Sequence, residues 1–141
     1  MAETTKDKAG TTNRALVARW GGKEEILAEG WVGVPISFLK YFGSLNLTPT
    51  EAIFIIELMG YKRDERAPFP GYKALAKRMG VSPDYARKLA RGLEAKEYIR
   101  RQVRVGTTNR FDLSPLFERL AARAKQEAEA RAERASRAGK A

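Results

Sequence analysis

The stretch Tyr72-Lys-Ala-Leu-Ala-Lys-Arg-Met-Gly-Val-Ser-Pro-Asp-Tyr-Ala-Arg-Lys-Leu-Ala-Arg-Gly-Leu93 reads as two short helices joined by a tight turn. Leu75, Ala76 and Met79 put an apolar stripe on the first helix. Gly80 follows, the residue type that leaves a helix through the left-handed region without steric penalty. Ser82 and Pro83 then open the second helix, the serine as cap and the proline at the first helical position. Ala86, Leu89, Ala90 and Leu93 recur at i, i+3, i+4 and i+7 and form its buried side. Ala76, Ala86 and Ala90 are small enough for two helices to cross closely. The outward side carries Tyr85, Arg87, Lys88 and Arg91, polar and mostly cationic, with no partner expected inside the protein. The plain alternative is a helical hairpin in an all-α core. The alternating, strand-like pattern of residues 98–113 argues against it.

The chain has 141 residues, room for one compact core with tails but not for two. Its net charge is +10, which points to a polyanionic partner. The charge is concentrated. Residues 61–110 hold 14 Lys and Arg against 5 Asp and Glu, a net +9, while residues 1–60 sum to −1 and residues 111–141 to +2. A generic solvated surface spreads its charge. Cysteine and histidine are both absent, which removes disulfides, thiolate chemistry, the Ser–His triad and nearly every zinc site. No apolar run approaches a membrane span and no apolar core of a signal peptide is visible, so a soluble, cytoplasmic protein is expected.

Working outward toward the N-terminus, residues 60–71 read as a linker in which Pro68 and Pro70 forbid helix and Phe69 plugs the core. Lys62, Arg63 and Arg66 there can meet phosphates or pair locally with Asp64 and Glu65. Before the linker, Thr48-Pro49-Thr50-Glu51 supplies a cap, an N1 proline and a capping-box glutamate. The helix it opens, Ala52 to Met59, is apolar almost all round and should be the core helix. Ile36, Leu39 and Phe42 recur at helical spacing and suggest a further helix that Gly43 ends. Residues 15–35 are ambiguous. Leu16, Val17 and Trp20 start a strand or helix that Gly21-Gly22 ends, and Ile26, Leu27, Trp31, Val32 and Val34 suggest extended chain. Trp20 and Trp31 are expected as core or lid residues, with nucleotide stacking the lesser alternative. Residues 1–14 read as a disordered arm.

Toward the C-terminus, a strand is expected from Tyr98 through Val105, with Ile99, Val103 and Val105 on one face and Arg100, Gln102 and Arg104 on the other. Gly106-Thr107-Thr108-Asn109 is a turn, and Phe111 and Leu113 alternate in the returning strand. Ser114-Pro115 opens a last helix with Leu116, Phe117, Leu120 and Ala124 as its apolar side. Beyond Ala124 only alanines interrupt the charges, giving either a solvated helical tail or half of a weak helical pair.

Residues 31–120 resemble the winged helix-turn-helix proteins of bacteria and their plasmids and phages. The resemblance is carried by Leu47-Thr-Pro-Thr-Glu51, Pro68-Phe-Pro70, Leu75-Ala-Lys-Arg-Met-Gly-Val-Ser82, Leu89-Ala-Arg-Gly-Leu-Glu94 and Tyr98-Ile-Arg-Arg101. Similar proteins include transcriptional regulators and the DNA-binding domains of plasmid replication initiators. The expected fold is therefore mainly α with a small β-hairpin (α+β), a winged helix-turn-helix over 15–120 with a charged, Ala-rich helical tail at 121–141.

The expected function is sequence-specific binding of double-stranded DNA, with a recognition helix at 82–96 in the major groove and a wing at 99–113 on the backbone. On that reading Ser82, Pro83, Tyr85, Arg87, Lys88 and Arg91 enter or border the groove, arginine suiting guanine and lysine or serine suiting phosphate. Lys73 and Lys77, with Arg101, Arg104, Thr107, Thr108, Asn109 and Arg110, would grip the flanking backbone. Any one of these cations taken alone is as well explained as solvated surface charge, and the case rests on their joint position. Transcriptional regulation is the favoured role. The alternatives are replication initiation or partition for a plasmid or phage, or a protein-interaction winged helix scaffolding a complex on DNA. RNA is less favoured, because the basic segment lacks paired exposed aromatics for stacking. No catalytic residue, cofactor or metal site is expected. Homodimerisation would extend the contact to two half-sites, and the N-terminal segment and the last helix are the candidate surfaces for a dimer or for a protein partner.

Overall fold

A computed structural model describes residues 14–61 and 70–139. The expectations for residues 1–13 and for Lys62, Arg63, Arg66 and Phe69 lie outside the described residues. In chain order the elements are α1 (Arg14–Arg19), α2 (Glu24–Leu27), α3 (Ile36–Tyr41), α4 (Pro49–Tyr61), α5 (Tyr72–Met79), α6 (Pro83–Ala95), β1 (Arg100–Gln102), β2 (Arg110–Asp112) and α7 (Ser114–Gly139). The fold is α+β, mostly helical with one two-stranded antiparallel sheet, in the winged helix-turn-helix arrangement.

The chain divides into two compact units, Met1–Gly33 and Val34–Ala141. In the first, α1 and α2 bury Leu16, Val17 and Leu27 together. The extended course expected for residues 26–34 is replaced by α2 and irregular chain. Trp20 and Trp31, expected in a core or under a lid, are exposed, because three aliphatic side chains already close so small a cluster.

The second unit has one core. Phe38, Phe54, Ile55, Leu58, Leu75, Leu93, Ile99, Phe111, Leu113 and Leu116 are fully buried in it. Each contributes about 1.5–3 kcal/mol of transfer free energy relative to an exposed side chain. Phe54 meets Phe111 edge to face with centroids 6.5 Å apart, which ties the core helix to the returning strand. The capping box on α4 is made in full. Thr48 N donates to Glu51 Oε1 at 2.9 Å, and Glu51 N donates to Thr48 Oγ1 at 3.1 Å.

Several apolar assignments change. On α3 the inward residues are Phe38 and Tyr41, while Ile36 is 68% exposed and Leu39 also faces out. Helical spacing fits both sets, and packing against α7 selects the aromatic one. On α7, Leu116 and Leu120 are buried but Phe117 is exposed. Ile53 of the core helix is half exposed. The expected long strand is only three residues, and Val103 and Val105 beyond it are 70% and 101% exposed. Pairing stops at Gln102↔Arg110, and among the described residues nothing covers the far end of the hairpin.

Beyond Ala124, α7 continues as a helix through Gly139 with little buried area. Arg123 and Arg134 lie 3.5 and 3.1 Å from Glu127, and Arg137 lies 3.6 Å from Glu133. Such solvent-screened surface pairs add little to stability.

Candidate nucleic-acid interface

α5 and α6 pack through their small residues, with Leu75, Ala76, Ala86, Leu89, Ala90 and Leu93 all buried. Gly80 sits between them at φ 71°, ψ 33° and closes α5 by donating to the carbonyl of Ala76. Ser82 caps α6 in extended geometry, its Oγ accepting from Tyr85 N at 3.1 Å. These local devices set where the second helix starts. The α6 side opposite the buried stripe then carries Asp84, Arg87, Lys88 and Arg91, at i, i+3, i+4 and i+7.

Lys88 and Arg91 are exposed, and among the described residues neither has an ion-pair partner. Lys73 and Lys77 on α5 are exposed and equally free on the same terms. Ser82, Pro83 and Tyr85 are exposed at the start of α6. Arg87 departs from the expectation of an unpartnered outward face. It is half-buried, its Nη1 donates to Asp84 Oδ1 at 2.8 Å, and its guanidinium lies over the Tyr72 ring at 5.2 Å. An acid one turn earlier and an aromatic ring on the adjacent helix take it up because both are within reach of a long side chain.

The wing holds its expected contacts differently from one another. Thr107 is exposed, while Thr108, Asn109 and Arg110 are half-buried. Register places Arg101 opposite Phe111, on the sheet face that packs inward. Its Nη2 reaches Glu94 Oε1 at 3.4 Å, so this arginine braces the wing against α6. Burial pulls the Arg101 guanidinium toward losing its charge, but Glu94 and Tyr72 outweigh that and raise its pKa above the ordinary arginine value. Arg104 folds back on its own loop, Nε donating to the carbonyl of Thr108 at 2.7 Å. Arg100, on the other sheet face, lies 3.5 Å from Asp112. Arg78, which follows Lys77, points instead to Glu57 at 2.7 Å and lies 5.2 Å over the Tyr61 ring, anchoring α5 to α4.

Three residues outside the expected set organise this surface. Tyr72 receives Arg87 on its ring, accepts a 3.4 Å hydrogen bond at its hydroxyl from Asn109 Nδ2, and meets Phe111 edge-on at 6.0 Å. Asp84 pairs with Arg87, and Glu94 with Arg101. The i,i+3 spacing of Asp84 and Arg87 was visible in the sequence as a pairing signal. Nothing in the sequence marks Tyr72 or Glu94 as wing contacts, since both act across elements. Among the described residues no cluster of acidic side chains is arranged to hold a metal ion, and no helix is long and apolar enough to cross a membrane.

A helix-turn-helix with a packed β-hairpin and an outward cationic helix defines a winged helix-turn-helix protein. Comparison with known proteins agrees. Residues 45–99 match the family model of a helix-turn-helix domain. The crystal structure of the N-terminal domain of DnaD protein from Geobacillus kaustophilus HTA426 is similar, with a TM-score of 0.60 and 25% identity, covering 86% of this chain and 99% of that one. No curated protein matches by sequence. Both comparisons agree with a winged helix-turn-helix fold for this chain.

Proposed function

We propose that this protein binds double-stranded DNA with sequence preference, α6 lying in the major groove and the hairpin along the adjacent backbone. The observation that carries the reading is the outward set Lys73, Lys77, Lys88 and Arg91. Four cations on two packed helices, without ion-pair partners among the described residues, make a surface charged for a polyanion. The amide groups at the Ser82 end of α6 add a site for one phosphate. The protein works as a binding module of the bacterial cytoplasm, acting on nucleoid or plasmid DNA, and needs neither cofactor nor catalytic residue for this. Transcriptional regulation is the leading role, with a homodimer reading two half-sites.

The likeness to the DnaD N-terminal domain favours a second reading, a part in replication. One experiment addresses both. Duplexes retained from a random DNA pool are sequenced. A two-fold symmetric motif supports a dimeric regulator, and tandem direct repeats support replication initiation or partition. Retention that lacks any motif removes sequence preference, and absence of retention at low salt removes DNA as the partner.

A further inference from the structure

Arg87 already makes two contacts within the fold. Asp84 takes one of its amino groups at 2.8 Å, and its Cζ lies over the Tyr72 ring, 5.2 Å from the centroid. A guanidinium has five N–H donors in a fixed fork. Asp84 engages Nη1, and among the described residues nothing occupies Nε or Nη2. That edge holds two parallel donors, the pattern that matches O6 and N7 of guanine. A freely rotating arginine gives up rotamer entropy when it binds. Here the two contacts favour one geometry in advance, which lowers the ordering cost of a base contact.

Tyr72 does more than cover the guanidinium. Its hydroxyl accepts from Asn109 of the wing, and its ring meets Phe111 in the middle of β2. The same side chain therefore seats the groove-reading arginine and the wing. Asp84 has a different double effect. Its carboxylate is almost fully exposed at the start of α6, where it also repels phosphate.

We propose that Asp84 and Tyr72 are specificity-determining positioning residues, holding Arg87 so that its Nε–Nη2 edge reads a guanine. The proposal rests on the duplex-binding reading given above. It implies opposite effects for Asp84→Asn: preference for the guanine falls, while affinity for a scrambled duplex rises. Tyr72→Leu also lowers the preference, whereas Tyr72→Phe keeps the ring and retains it.

The test uses the full chain and the motif that the wild-type protein selects. Each position of the motif is replaced in turn by 7-deazaguanine, which lacks the N7 acceptor, or by another base. The wild-type protein is expected to lose about 5- to 100-fold in affinity at one guanine, the range for a single well-made bidentate pair. Arg87→Ala should erase that loss, Asp84→Asn and Tyr72→Leu should reduce it several-fold, and Tyr72→Phe should preserve it. Thermal midpoints of all variants confirm that they are folded, and exposed Asp84 keeps the test valid if Tyr72→Leu is not. Wild-type-sized sensitivity in Asp84→Asn and Tyr72→Leu overturns the proposal. So does an Asp84→Asn protein that binds every duplex more tightly with unchanged preference, since Asp84 would then act by charge alone. A wild-type protein that selects no duplex overturns the duplex-binding reading itself, and this proposal with it.

Discussion

Lys96 Nζ lies 2.8 Å from Glu51 Oε1, which ties the residue capping the end of α6 to the first turn of α4. The same ammonium donates to the carbonyl of Asn46 at 2.9 Å, and the Tyr98 hydroxyl donates to the carbonyl of Leu45. Glu51 thus serves twice, as capping-box acid and as counter-ion. The helix proposed to enter the groove is held at its far end by this group of contacts.

The latch should be visible in the pH dependence of stability. Burial alone pushes the Glu51 carboxyl up, but the hydrogen bonds from Lys96 and Thr48 outweigh it and hold the group below its ordinary 4.5. A lowered folded value means that the stabilisation is complete above the unfolded value and is lost as pH falls through the folded one. The urea midpoint is therefore expected to fall through that acid window. Glu51→Gln should flatten this part of the curve and cost about 1–3 kcal/mol near neutral pH. Parallel curves for the two proteins would remove the latch as the cause.

Gly80 offers a cleaner backbone test. A Cβ built there meets nothing within 4 Å, so any cost of substitution comes from the φ of +71°. Gly80→Ala is expected to lose about 1–2 kcal/mol of stability in chemical denaturation, and Gly80→Asn less. Equal losses for both would point to something other than the left-handed backbone.

Phe111 connects the wing to the core through Phe54 and Tyr72. Phe111→Ala should cost about 3–5 kcal/mol through transfer and cavity terms. Because the wing stands on this ring, hydrogen exchange in residues 100–112 should quicken more than in α4.

The proposed DNA contacts should divide by role. If Lys73, Lys77, Lys88 and Arg91 each neutralise a phosphate, log affinity falls with log salt at a slope of about −4. Lys77→Ala should reduce the slope by about 1 and weaken all sequences alike, whereas Arg87→Ala should cost about 1–3 kcal/mol on the selected motif. Equal, sequence-blind losses from both substitutions would refute the division.

Much of this fold was legible because its signals are local. The Ser82-Pro83 start, the Gly80 turn, the Thr48–Glu51 capping box and the stripe Ala86, Leu89, Ala90, Leu93 all depend on residues within about two helical turns of one another. Where the sequence misled, two helical faces were equally apolar, as with Ile36 and Leu39 against Phe38 and Tyr41. Strand alternation likewise suggested a long buried face that no neighbouring element covers at Val103 and Val105. The left-handed residues Asn46 and Glu97, both at φ 62°, carry no glycine to announce them.

Composition and periodicity by themselves determined the helix-turn-helix, its capped second helix and the concentration of positive charge around it. Which cations stay free was decided only by the tertiary structure. Arg87, Arg101 and Arg78 look like Lys88 and Arg91 in the sequence, yet each meets an acid, and Arg87 and Arg78 an aromatic ring as well. The reason is physical. Helix caps and hydrophobic spacing act over a few residues, whereas an ion pair such as Arg78–Glu57 forms between positions that only folding brings within 3 Å.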